Sequence, residues 1–412
     1  LIIWILNHYA APIDNSSRGT RHFDFGFHLT KKGHKVRIFA ANRHHTLYKW
    51  VEFGGLYKEI EYEHGPIFTY VQTRPYHGNT VARFLNMWDY RKNVVRAGKI
   101  IGSSEKPDVI IASSVHPLAW EAGYDLSRAF GARYFVEVRD VWPKTLVDTG
   151  KMSCFHPLVV YFSILEKRAY KRAEAVITLL RDSEEYMKSK GAKRVVWIPN
   201  GIDLERFDMM KNESNEQLKN IIDEMRKKYS ILIGYAGGHS FVYGLETLVE
   251  IAKICQDEKL PVGFISVGDG EALPRLKAMV KEKRLENLVF AGRFPRTSIP
   301  WFLCQMDALF LHMKPMEVLN YGVSYNKLFE YFAARKPVIY AAGWGEKLKD
   351  MSSSEAFLVS EPENAENIVS KIKELVQNLQ EYKINAQMLR QKVSEFDYAT
   401  LSKKLLESIG RS

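Results

Sequence analysis

Few side chains in this chain of 412 residues are spaced for chemistry, and the densest group lies between Met306 and Gly343. There Lys327 and Glu330 stand three residues apart in a segment patterned like a helix. At about 100° per residue, Asn326, Lys327, Glu330 and Ala334 share one face, and Leu328, Phe329 and Phe332 share the other. An ammonium in a first helical turn, beside free backbone N–H groups, attracts an anion such as a phosphate. A carboxylate one turn further on suits ribose hydroxyls. The alternative is an exposed Lys–Glu pair that adds a few tenths of a kcal/mol.

Glycine turns after strands are a second candidate, since they let a phosphate approach the backbone closely. One is Gly237–Gly238, after an expected strand Ile231–Tyr235; another is Gly268–Asp269–Gly270, after Gly263–Val267. Arg293 follows the expected strand Leu288–Ala291 and reads as a phosphate ligand or a surface cation. In the first half, His116 follows the strand Pro107–Ser113, and Arg139–Asp140 follows Ala132–Val138. Asp140 reads as a base or as a group that orients a hydroxyl; an Arg–Asp pair capping the strand is the alternative. Arg18, Gly19 and Arg21 form a loop fit to hold a phosphate, unless both cations are simply solvated.

These groups need elements to hold them. Leu1–Leu6 is a continuous apolar run, as in a central parallel strand. Ala308–Leu311 and Pro337–Ala341 read as strands on either side of a helix Tyr325–Ala334, with Ser324 as its N-cap and Arg335 and Lys336 at its C-terminal end. In open parallel sheets such helix N-termini lie at the carboxyl edge, where ligands bind. Two successive βα halves follow, with a hinge at Asn200–Gly201 and helices at Glu361–Gln380 and Tyr398–Ile409. Asn42–Asn93, rich in His, Tyr and Arg, reads as irregular and suited to an acceptor, to a membrane or to loop packing.

Composition excludes several classes. The net charge of +11 is spread along the chain rather than gathered in arms, which disfavours nucleic acid and leaves an anionic substrate or membrane surface. The first loop has a single glycine where a dinucleotide-binding turn needs GxGxxG, so an oxidoreductase is disfavoured. Cys154, Cys255 and Cys304 have no metal-binding spacing and read as reduced packing residues. No apolar run approaches the ~20 residues of a membrane span. The chain opens without Met, directly on a strand, which implies that a preceding segment has been removed.

Asn326–Lys327–Leu328–Phe329–Glu330–Tyr331, with Ala333–Ala334 and Lys336–Pro337–Val338–Ile339, resembles the donor-nucleotide signature of glycosyltransferase family 4, retaining enzymes of the GT-B fold. Ser17–Arg18–Gly19 and Gly268–Asp269–Gly270 resemble other elements of the family, and Arg139–Asp140–Val141–Trp142–Pro143 resembles an element of its branch that builds bacterial surface polysaccharides, the WbuB-like enzymes. The resemblance implies two Rossmann-like α/β domains facing across a cleft. Residues 1–205 would bind the acceptor and residues 206–393 the nucleotide sugar, with the helix 394–412 returning to the first. It implies transfer from a nucleotide-sugar donor, a UDP-sugar, to a saccharide or lipid-diphosphate acceptor, with retention, no cofactor and no metal. The enzyme would work in the cytoplasm, peripheral to the inner face of the membrane.

Donor contacts then fall on Lys327, Glu330, Gly237, Gly238, Arg293, Gly268, Ser324 and Asn326. Two departures stand out. Gly238 and Tyr243 occupy places where the family carries an Arg and a Lys, and Gly322 replaces the first of its two motif glutamates. Backbone at Gly322–Ser324, or Glu317 or Asn320, would then meet the sugar. A non-hydrolysing sugar-nucleotide 2-epimerase and a catalytically silent subunit of the same fold are the rival readings.

Overall fold

The structure, a computed structural model, describes all residues except 14–18, 79, 115, 149, 151, 344–346, 349–354 and 411–412. The chain forms two compact units. The first holds Leu1–Asn200, the short stretch Tyr321–Ser324 and the chain from Tyr398 on; the second holds Gly201–Asn320 and Tyr325–Asp397.

The first unit carries strands β1 (Ile2–Leu6), β2 (Lys35–Ala41), β3 (Tyr57–Glu61), β4 (Ile67–Val71), β5 (Val109–Ser113), β6 (Arg133–Val138), β7 (Ala175–Thr178) and β8 (Val195–Trp197). Their order is β3-β4-β2-β1-β5-β6-β7-β8, parallel except for β3, which pairs antiparallel with β4. Strands of a sheet covered on both faces read as unbroken apolar runs. In β1, Ile3 and Ile5 pack with Phe25 and Leu29 of the helix Arg21–Lys31 and with the helix Tyr398–Ile409, while Trp4 and Leu6 pack oppositely, with Tyr90, Val94 and Leu126. The rings of Phe25 and Tyr398 lie 5.3 Å apart, edge to face, and tie the last helix to this unit.

The stretch Asn42–Asn93 is more ordered than its composition suggests. It contains β3, β4 and the start of a 22-residue helix, Val81–Gly102. β3 is an edge strand, and its charged residues (YKEIE) are what an edge tolerates. Of the cysteines, Cys255 is buried, but Cys154 is exposed and does not pack a core.

The second unit carries β9 (Ile231–Ala236), β10 (Val262–Val267), β11 (Leu288–Gly292), β12 (Ala308–His312), β13 (Val338–Ala341) and β14 (Phe357–Val359). The order is β11-β10-β9-β12-β13-β14, and every pair is parallel. In each sheet the first strand lies between its successor and a later strand, so connections leave it in opposite directions. Ligands of open α/β sheets bind outside the carboxyl ends at that point. The helix between β12 and β13 spans Asn326–Ala333. Its N-cap is Tyr325, without a side-chain cap, and not Ser324, whose Oγ accepts the Asn200 N–H at 2.7 Å. Arg335, at φ +57°, takes the left-handed conformation that ends the helix.

Candidate functional site

In the second unit, β9 delivers Gly237 and Gly238 to the carboxyl edge of the sheet, and the helix Asn326–Ala333 delivers Lys327 to the same place. A Cβ on Gly237 (φ +153°) would lie 1.9 Å from Lys327 Cε. Only glycine admits the lysine. A Cβ on Gly268 (φ +147°) would lie 1.8 Å from the Gly237 carbonyl oxygen, so the second glycine turn is packed directly on the first.

The Lys327 ammonium donates to the Tyr235 hydroxyl at 2.9 Å and sits 4.8 Å from that ring's centroid and 3.3 Å from the centroid of Tyr243. Lys327 as a residue is half-buried, but its ammonium end is enclosed. This enclosure lowers its pKa to about 7, against a small opposing pull from Glu330. Among the described residues no carboxylate lies within ion-pair distance of it. His239, next in the turn, is buried with Nε2 2.7 Å from Ser266 Oγ, and burial and the nearby Lys327 depress its pKa to about 4.

The other expected donor ligands vary in fit. The Gly237 N–H is already donated to Val267 O at 2.9 Å, which removes it as a phosphate donor; the Gly238 N–H is left without an intramolecular partner among the described residues. Glu330 is one-fifth exposed at its side chain, with Arg296 Nη2 3.4 Å from Oε1, so it is not simply paired with Lys327. Asn326 and Arg293 are exposed, Arg293 just past the end of the edge strand β11. Gly322, at φ +107°, belongs to the first unit, where a Cβ would lie 2.9 Å from the Arg181 backbone nitrogen. That close approach explains why no glutamate stands there. Glu317 and Asn320 are exposed.

The carboxyl edge of the first unit is built differently. Glu137, on β6, is buried and accepts from Ser113 Oγ at 2.5 Å, with Arg21 Nε at 3.3 Å and His22 Nε2 at 2.9 Å. Burial pushes its pKa up, but Arg21 and His22 outweigh that and hold it far below the usual carboxylate range. Arg21 also donates to Asn200 Oδ1 at 3.1 Å and to the Ile198 carbonyl at 3.0 Å. It is therefore a buried structural cation at the start of a helix and not a loop residue reaching for phosphate. Gly19 (φ +67°) precedes that helix, and Arg18 lies outside the described residues.

His116 is buried with its Nε2 2.7 Å from His8 Nδ1. Burial depresses the pKa of both, that of His116 to about 3, and likewise that of His44 to about 3. Arg139 and Asp140 form no ion pair with each other within 4 Å. The Arg139 N–H donates to Ser114 Oγ at 3.0 Å. Asp140 is solvent-exposed, yet enough protein surrounds its carboxyl to raise its pKa, with Arg139 opposing. Sequence reasoning missed Glu137, His22 and His8 here, and Tyr235 and His239 in the other unit. Among the described residues no three His, Cys, Asp or Glu side chains are grouped to hold a metal ion.

Two parallel-sheet α/β domains, the second holding an ammonium at a glycine turn, define the GT-B class. Residues 26–201 match the model of the glycosyl transferase 4-like domain, and residues 230–378 match that of glycosyl transferases group 1. The chain belongs to the glycosyltransferases built from these two domains. It is 27% identical over 278 residues to WcaI of Escherichia coli K12, a putative colanic acid biosynthesis glycosyl transferase, across 64% of each chain. To WbjE of Pseudomonas aeruginosa, a probable glycosyltransferase, it is 24% identical over 249 residues, 58% of this chain and 59% of that one. The matches thus span less than two thirds of these relatives' length. Among solved structures it is similar to Anabaena HepE in complex with UDP and glucose, at a TM-score of 0.67 and 15% identity, over 99% of this chain and 98% of that one.

Proposed function

We propose that this protein moves a sugar from a UDP-sugar to a saccharide or lipid-linked acceptor in surface-polysaccharide biosynthesis, with retention and without a metal ion. In this reading residues 1–205 bind the acceptor and residues 206–393 the donor. The observation that carries it is the enclosed Lys327 ammonium at the Gly237–Gly238 turn, with no carboxylate within ion-pair distance among the described residues. WcaI supports the polysaccharide setting by its name, and HepE, bound to UDP and glucose, supports the donor.

Rupture of the bond between the sugar and the diphosphate places negative charge on the departing oxygen. Lys327 meets that charge together with the free Gly238 N–H and the first amides of the helix Asn326–Ala333. One well-placed donor of this kind lowers a barrier by roughly 3 kcal/mol. Glu330 accepts from the ribose hydroxyls. The acceptor hydroxyl attacks the face the diphosphate leaves and gives its proton to the leaving phosphate, while Asp140 and Arg139 line the acceptor side; His116, fully buried against His8, does not reach it. Among the described residues no helix is long and apolar enough to cross a membrane; attachment at the inner face is part of the proposal.

Calorimetric titration with UDP, GDP and their sugars, followed by product analysis with and without acceptor, tests the reading. UDP should bind, and sugar should move only when an acceptor is present. An altered sugar nucleotide formed without acceptor would make the protein an epimerase. UDP binding without turnover would leave a catalytically silent subunit, and failure to bind any nucleoside diphosphate would overturn the proposal.

A further inference from the structure

The helix Pro157–Arg172 of the first unit buries Val159, Phe162, Leu165, Glu166, Ala169 and Tyr170. Its outward residues are Val160, Tyr161, Ile164, Lys167, Arg168 and Lys171, a spacing that keeps them within one sector of an α-helix. Along that stripe the chemistry changes once. The first three are apolar and exposed by 47%, 38% and 51%; the last three are cations. Phe155, just before the helix, is 87% exposed and extends the apolar end. The only acidic residue between 153 and 172 is Glu166, and it faces inwards.

We propose that this helix docks the protein on an anionic lipid bilayer, apolar end first. At ~1.5 Å of rise per residue, Lys167 to Lys171 stand roughly 5–10 Å along the axis from Ile164. Interfacial helices bury their apolar part about 5–10 Å into the boundary between headgroups and acyl chains, so the cations come level with lipid phosphates. A phenylalanine this exposed projects into solvent, and a fluid interface accepts projecting side chains without a matching recess. The chain's net charge of +11 favours an anionic partner over a second copy of itself. The proposal deepens the transferase reading by naming where a lipid-linked acceptor is met, but it is tested without turnover.

The full chain is sedimented with vesicles of phosphatidylcholine alone and of phosphatidylcholine mixed with phosphatidylglycerol, at low and physiological salt, with UDP binding measured in parallel. The wild-type protein should bind the anionic vesicles, less so with added salt. F155S/I164S should lower partitioning by roughly tenfold or more, and K167Q/K171Q by roughly fivefold per cation with a shallower salt dependence. UDP binding should stay unchanged in both, which shows that they fold. The proposal is overturned if the wild type ignores anionic vesicles, if both variants partition like it, or if the wild type is instead a dimer that F155S/I164S dissolves. Loss of UDP binding by the wild type would sink the transferase reading alone.

Discussion

The carboxyl edges of the two sheets hold comparable amounts of polar chemistry but dispose of it in opposite ways. In the first unit, Glu137 is answered by Arg21, His22 and Ser113, and Arg21 by two further acceptors. The imidazoles of His8, His44 and His116 are kept neutral by burial. At that edge of the second unit the enclosed Lys327 has a hydroxyl and two ring faces for company and, among the described residues, no carboxylate within ion-pair distance. A set of groups that satisfy each other stabilises a fold. A charge with no internal counter-ion is left to an external anion, as the proposed donor site requires. Its enclosure makes an answering anion worth more, because Coulomb attraction strengthens as water, with its high dielectric constant, is excluded.

The sharpest way to break this contrast is to disturb one edge and ask whether the other responds. Glu137→Ala leaves Arg21 buried and uncompensated, and breaking such a pair costs roughly 3–5 kcal/mol of stability. Urea denaturation should show that loss, with UDP affinity unchanged at concentrations where the variant is folded. Lys327→Ala should do the reverse. Stability should hold or rise, because the fold no longer has to desolvate an ammonium, while kcat/KM falls by roughly 10²–10³. Equal stability losses in the two variants would erase the distinction between a structural and a functional charge.

How much of this is legible in the sequence depends on the range of the interactions. Ile2–Leu6 and Val109–Ser113 announce themselves because a strand covered on both faces is a local apolar run. Lys327 and Glu330 are legible as neighbours on a helix, a relation fixed within one turn. Glu137 is not, because it reads as one polar residue in a strand, and its partners Arg21 and His22 reach it only through the sheet order that brings β1, β5 and β6 side by side. Tyr235 looks like any aromatic residue in a core strand, and Tyr243 shows only as a missing cation. Their joint role as an enclosure for Lys327 exists only in three dimensions. The edge strand β3 is hidden by its own charges.

Titration sharpens the comparison, because the two edges respond to opposite ends of the pH scale. Lys327 titrates near 7, so its ammonium is lost as pH rises, and a bound diphosphate must raise its pKa to keep the charge. UDP affinity should therefore fall between pH 7 and 9, by up to roughly tenfold per unit, and Lys327→Ala should remove the slope. In the first unit, His44 and His116 bind protons in the unfolded chain from 6.5 downward but in the fold only near 3, so stability declines as pH falls through that window. Each should contribute a loss of roughly 2 kcal/mol by pH 5. Glu137 adds to the acid loss only below about 4.5, its unfolded value. Thermal melts from pH 7 to 4 that show no decline would contradict the assignment of neutral buried imidazoles.

The finest test concerns Tyr243, whose ring stands 3.3 Å from the Lys327 ammonium. A cation over an aromatic face gains from about 0.5–1 kcal/mol where water reaches it to about 2 kcal/mol or more where it is desolvated. Tyr243→Leu removes the π face while keeping an apolar side chain, and Tyr235→Phe removes the hydroxyl's bonds to Lys327 and to the Gly238 carbonyl while keeping its ring. If the enclosure positions Lys327, Tyr243→Leu should admit water, raise the lysine's pKa towards its ordinary 10.5 and move the midpoint of the pH-dependent UDP affinity upward, with a small loss of affinity at pH 7. Tyr235→Phe should shift the midpoint less, because the ring that excludes water remains. An unchanged midpoint in Tyr243→Leu, with UDP still bound, would mean that the depressed pKa comes from the glycine turn and the helix alone.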